Sequence, residues 1–159
     1  MAPQETILFN HGQMLRRLDV DMAADAEFLA VESLIFGRAA MGETVVAGAF
    51  RDRWRVRRGG RLVFADDLRF EGDIARELAR PAILAGNAAL ATVFLASPDC
   101  EKMLEPVREV LKDAGGASAW GGKLLVRVVA ADGFALRRTL LPVLSVLTAG
   151  RPLPKVWQL

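Results

Sequence analysis

His11 and Cys100 are the only imidazole and the only thiol in this chain. One histidine excludes paired-histidine metal motifs and leaves any Ser–His or Cys–His pairing to that residue alone. His11, beside Gly12, reads either as such a lone functional imidazole or as a loop residue. Cys100 falls in the first turn of an expected helix, where the dipole lowers a thiol pKa; the competing reading is a small buried hydrophobe. Glycine pairs at Gly59-Gly60, Gly115-Gly116 and Gly121-Gly122 lack the spacing of a phosphate loop or a dinucleotide fingerprint, and they read as turns. A hydrolase or transferase would need a pocket joining His11 or Cys100 to a carboxylate. The chain is therefore expected not to be an enzyme.

Three carboxylates are less ordinary. Glu5 lies in Pro3-Gln4-Glu5-Thr6-Ile7-Leu8-Phe9, Glu32 in Val31-Glu32-Ser33-Leu34, and Glu43 in Met41-Gly42-Glu43-Thr44-Val45. A carboxylate drawn into apolar surroundings must be paired, hydrogen-bonded or used. Pairing with Arg38, Arg51 or Arg53 is one reading. A polar path for a divalent cation, lined by Glu5 and Glu43, is the other. Oxygen ligands suit transient passage, whereas tight storage of a transition metal calls for imidazole or thiolate. No tightly bound metal and no resident cofactor is expected.

Basic charge concentrates at Arg51, Arg53, Arg55, Arg57, Arg58 and Arg61, although the formal net charge is only +2 and the pI about 9.1. The strand 51–61 admits a solvated face that deters edge pairing, a surface for an acidic protein, or, as the alternative function, a nucleic-acid-binding module. Nucleic acid would want exposed aromatics among the arginines. Phe50, Trp54 and Val56 share the opposite face instead.

These residues need elements to hold them. Residues 46–57 alternate an apolar face with odd-numbered arginines, Gly59-Gly60 makes a tight turn, and residues 61–65 return, which together predict a hairpin. Leu18 to Met22 alternates apolar and acidic residues, as a half-buried strand does. Phe28–Phe36 and Ala89–Ala96 read as apolar strands. Residues 117–120 and 123–130 form a second hairpin around Gly121-Gly122. A short helix is expected over 73–80, ending before Pro81. A second starts with Ser97 as cap and Pro98 in first position, carries Met103, Val107, Val110 and Leu111 on one face, is kinked by Pro106 and ends at Gly115. A third runs from Asp132 to Thr148 and is bent by Pro142. The tail Arg151–Gln158 is expected to be extended, with Trp157 held out of water.

At 159 residues the chain is the size of one domain, with no linker or repeat, and buries roughly 68–70% of its unfolded surface without staples. It reads as a single domain, 1–159. The lone cysteine fits a reducing compartment, no signal peptide is visible, and the longest apolar runs fall short of the ~20 residues of a membrane helix. A cytoplasmic protein without membrane contact is expected.

Taken in order, several segments resemble the C-terminal part of the urease accessory protein UreD family, called UreH in some organisms. They are Pro3-Gln4-Glu5-Thr6-Ile7-Leu8-Phe9, Phe36-Gly37-Arg38 with Met41-Gly42-Glu43, Arg51-Asp52-Arg53-Trp54-Arg55-Val56, Leu62-Val63-Phe64-Ala65-Asp66, Ala119-Trp120-Gly121-Gly122 and Arg151–Gln158. The resemblance implies a mainly β fold (α+β by content) of stacked antiparallel, β-helix-like layers with two helices in the C-terminal third. It implies a urease maturation scaffold that binds the urease apoprotein and UreF, reaches the GTPase UreG through UreF, and assists nickel delivery. Glu5 and Glu43 are then the candidate nickel path, and Arg38, Arg51, Arg53, Arg55 and Trp157 the candidate partner-binding residues. In the family the Pro-Gln-Glu segment sits near mid-chain after a strand-rich part. Its position at Pro3 here leads to the expectation of open strand edges and self-association.

Overall fold

The computed structural model describes residues 1–38 and 41–157, so the matched Gln158 lies outside the described residues. In chain order the strands are β1 (Thr6–Leu8), β2 (Gln13–Met22), β3 (Phe28–Phe36), β4 (Ala47–Arg58), β5 (Arg61–Asp73), β6 (Ala89–Ala96), β7 (Gly115–Trp120) and β8 (Lys123–Ala130). The helices are α1 (Ile74–Ala79), α2 (Leu104–Leu111) and α3 (Gly133–Leu147), so the fold is mainly β with its two longer helices in the C-terminal half. The chain folds as two compact units. The first takes Met1–Thr6, Glu27–Ile35 and the chain from Gly86 onward; the second takes Ile7–Ala26 and Phe36–Ala85. Because each unit is assembled from separated stretches, no linker composition marks a boundary.

In the first unit β3, β6, β8 and β7 lie side by side in that order, all antiparallel. All eight residues of β6 are buried, which is why its sequence is a continuous apolar run rather than an alternation. Leu124, Val126, Val128 and Ala130 of β8 turn one face to the core, where they meet Val107 and Leu111 of α2 and Leu136, Leu140, Val143, Leu144 and Leu147 of α3. Asp132 caps α3 by accepting the Ala135 amide at 2.8 Å, and Thr148 closes it, which matches the expected bounds of the third helix. Pro142 leaves the Arg138 carbonyl without its helical donor, on a residue that is exposed.

The start of the second helix differs from expectation. Ser97 does not cap it: the Ser97 hydroxyl donates to Glu27, and the chain first makes a 3-10 turn over Cys100–Met103. Pro106 therefore falls in the first turn of α2, where its missing N–H has no helical partner to lose, rather than in an interior it would kink. The helix ends at Leu111, with Lys112 at φ 50°, and Gly115 opens β7 instead of closing the helix. The tail is extended only to Pro154; Lys155–Trp157 form a 3-10 turn, because Trp157 folds into the first unit and its amide bonds the Pro154 carbonyl at 2.8 Å.

In the second unit the sheet order is β2-β4-β5. β4 and β5 form the expected antiparallel hairpin, turning through Gly59 (φ 55°) and Gly60 (φ 79°), with an irregularity between Val56 and Arg57. β2 runs parallel to β4, a departure from an all-antiparallel stack, since the chain passes through β3 between the two. β5 continues to Asp73, past the expected end at Ala65: Phe64, Leu68 and Phe70 keep the alternation, and Asp66 obscures it in the sequence. Phe50, Trp54 and Val56 are buried, and Trp54 meets Phe64 edge-to-face at 6.5 Å between centroids. In β2, Leu18, Val20 and Met22 are half-buried while Asp19 and Asp21 are exposed.

Candidate functional site

Glu43 is held in a knot of backbone and side chain in the second unit. Arg38 Nε donates to Glu43 Oε2 at 2.7 Å, and the Arg38 guanidinium lies 4.7 Å from the centre of the Phe9 ring. The Asn10 amide donates to Glu43 Oε1 at 3.4 Å, while Asn10 Oδ1 accepts the Val46 and Ala47 amides. Gly37, at φ 79°, makes the knot possible: a Cβ there would collide with the Glu43 carbonyl. The Arg38 hydrogen bond holds the Glu43 carboxyl below the usual carboxylate range. Of the two sequence readings, pairing is what the geometry displays here, and the partner is Arg38.

Glu5 belongs to the first unit, so the structure does not place it in one unit with Glu43. Its Oε1 stands 3.8 Å from Arg137 Nε, with the side chain 17% exposed against 21% for Glu43. Arg137 also donates to the Val156 carbonyl and lies 5.4 Å from the centre of the Trp157 ring. Glu5, Ile35, Gly133, Phe134, Arg137 and Leu141 line a groove of about 430 Å³ in this unit. Trp157, expected at a partner interface, is 2% exposed, and its indole N–H donates to the Ala2 carbonyl at 2.9 Å. It serves the core and offers no surface. Glu32 sits half-buried in β3, in register with Thr92 of β6.

The arginine row is distributed among different tasks. Arg51 makes a two-pronged ion pair with Asp67 at 2.8 and 2.6 Å, and that pair holds the Asp67 carboxyl below its ordinary range. Arg55 donates to the carbonyls of Trp54 and Asp66. Arg53 acts on Asp67 only through space. The face is of mixed sign, and the aromatics of its strand are buried, so no observation favours the nucleic-acid module.

Sequence reasoning missed Asp52. It is 6% exposed on the apolar face of β4, where Oδ2 accepts from Arg16 at 2.7 Å and from the Trp54 indole at 3.0 Å. The signal was its parity: Asp52 has the same register as Phe50 and Trp54. His11 proves to be an exposed turn residue with φ 60°, its amide bonding the Ala47 carbonyl. Cys100 is fully buried, and burial pushes its thiol pKa up, against the lowering that a helix start would bring. Among the described residues no cluster of three or more His, Cys, Asp or Glu side chains is placed to hold a metal ion. No helix among them is long and apolar enough to cross a membrane.

Fold and site together define a mainly β protein with two longer helices, paired half-buried carboxylates and a broad charged sheet face. The chain belongs to the UreD urease accessory protein family, which residues 1–158 match. It is 58% identical over 158 residues to the urease accessory protein UreD of Rhizobium etli, covering 99% of this chain and 58% of that one. Against the UreD of Agrobacterium fabrum the identity is 52% over 157 residues, 99% of this chain and 55% of the other. The UreD of Mesorhizobium japonicum is 50% identical over 161 residues, 99% of this chain and 58% of its own length. This chain thus spans a little over half the length of the curated relatives it matches.

Proposed function

We propose that this chain is a working part of a urease maturation scaffold. In this reading it binds the urease apoprotein and UreF, engages the GTPase UreG through UreF, and assists delivery of nickel to the urease active site. The observation that carries it is the unbroken family match over residues 1–158. Nickel is cargo here. Glu5 and Glu43 are the carboxylates proposed to meet it in transit, each presented beside an arginine, Arg137 at 3.8 Å from Glu5 and Arg38 at 2.7 Å from Glu43. Carboxylate oxygens bind such an ion weakly enough to release it, which transit requires. Arg38 and the arginines of β4 are proposed to contact partners.

The test is a chimera in which this chain replaces the matching residues of the Rhizobium etli relative, expressed with urease and the remaining accessory proteins in cells lacking their own UreD. Urease activation by the chimera is the expected result. A chimera that is expressed and folded yet leaves urease inactive would overturn the proposal. Glu5→Gln and Glu43→Gln in the chimera should lower activation more than they lower recovery of the complex. Normal activation by both variants would remove the nickel path and leave the scaffold role.

A further inference from the structure

A strand at the end of a sheet carries backbone donors and acceptors that no neighbour takes, and most folds blunt it. Three of the four end strands here are blunted. β1 is three residues long, and on β7 the Arg108 guanidinium donates to the Ala117 carbonyl at 3.3 and 3.1 Å. β5 carries the irregularity opposite Val56 and Arg57, and Gly72 at φ 79°. β2 is the exception. Its ten residues include no glycine or proline and pair with β4 in unbroken parallel register, and among the described residues no strand lies on its other side. The direction of its hydrogen bonds is fixed at both ends. The Ala49 amide donates to the Gly12 carbonyl at 2.9 Å and the Gly59 amide to the Met22 carbonyl at 3.0 Å, so the even-numbered residues bond β4. The odd-numbered ones, Leu15, Arg17, Asp19 and Asp21 among them, aim their N–H and C=O groups at the open side.

The exposed face of β2 is complementary to itself. A second β2 laid antiparallel, about a two-fold axis at Leu18, sets Arg17 of each copy opposite Asp19 of the other, about 5.5 Å apart between Cα atoms. Asp21 then faces Leu15, a neutral match. The two-fold registers on either side set Arg17 against Arg17 or Asp19 against Asp19, and like charges directly opposite are destabilising. Arg17 and Asp19 already pair within the strand at 3.0 Å, and Arg53 and Arg55 stand beside them on β4. The pairing therefore needs no free charge. Each in-strand pair lies head to tail against its copy, so every charge keeps its partner and gains a second of opposite sign. On the other face the half-buried Leu18 meets its own copy, and Met22 meets Met14.

We propose that β2 is the dimerisation edge of this chain, pairing antiparallel with β2 of a second copy and joining two three-stranded sheets into one. The inference is independent of the scaffold reading. The experiment is sedimentation velocity on the 159-residue chain from roughly 1 to 500 µM, a range suited to a small interface. The chain should pass from monomer to dimer. R17D and D19R should each weaken the dimer about tenfold, because two attractive cross-strand pairs become repulsive, with unchanged circular dichroism. Mixed in equal amounts, the two variants should form a heterodimer within about threefold of the original affinity, and R17D/D19R should self-associate as well. In hydrogen exchange the Arg17 and Asp19 amides should slow as concentration rises, while those of Leu18 and Val20 stay protected throughout. A monomer at every concentration, a dimer indifferent to both single variants, a mixture no tighter than its components, or concentration-dependent protection confined to other strands would each overturn the proposal. Because the readout is self-association, its failure is distinct from a failure of urease activation.

Discussion

Removing the Asp52 carboxylate tests the packing logic of the arginine strand most directly. Asp52 is the shared acceptor of Arg16, at 2.7 Å, and of the Trp54 indole, at 3.0 Å. Asp52→Ala leaves a buried indole N–H without a partner, at about 1–3 kcal/mol. It also strips the carboxylate from a guanidinium; breaking a fully buried pair costs about 3–5 kcal/mol. The Arg16 side chain is 23% exposed, so water recovers much of that second cost. The two effects together should destabilise the protein by about 3 kcal/mol, or a fall in Tm of roughly 6–12 °C at this chain length. Asp52→Asn keeps one acceptor for the indole while losing the charge, and should cost about half as much. Urea unfolding followed by tryptophan fluorescence and circular dichroism measures both, with the slope m checked for constancy. A cost below about 1 kcal/mol for Asp52→Ala, with Asp52→Asn indistinguishable from it, would refute the reasoning.

Two further predictions concern the sheets. A Cβ at Gly115 would collide with the Arg127 carbonyl oxygen, which is backbone and cannot swing aside, whereas at Gly116 it meets nothing within 4 Å. Gly115→Ala should therefore cost about 1–3 kcal/mol in thermal or urea unfolding, and Gly116→Ala less than about 0.5. Asp67 has its pKa depressed by Arg51, so the stability it contributes is present above the ordinary aspartate pKa of about 3.9 and is lost as pH falls through the depressed value. Arg51→Ala should move the Asp67 titration upward in carboxyl NMR; a midpoint that stays put would deny the pair its role.

The sequence by itself determined the elements whose signal is local. Period-two alternation marked β4, and the glycine pairs at 59-60 and 121-122 marked two hairpins, because their positive φ values are open to glycine at little cost. β6 was legible as an unbroken apolar run, and α3 as a helix from Asp132 to Thr148. The ordered family segments were legible too, since they need no coordinates. What the sequence left open depended on residues distant in the chain. Pro106 reads as a helix breaker until the 3-10 turn before it shifts the helix start. The parallel pairing of β2 with β4 depends on where β3 goes. Whether Glu43 is paired is decided by a glycine that admits its carbonyl and by the arginine next to that glycine. Asp52 and Trp157 show the limit most clearly: one was not singled out at all and the other was expected, from the family resemblance, at a partner contact, and both are buried. Burial depends on what packs against a residue from elsewhere in the chain, and only the tertiary structure brings those neighbours together.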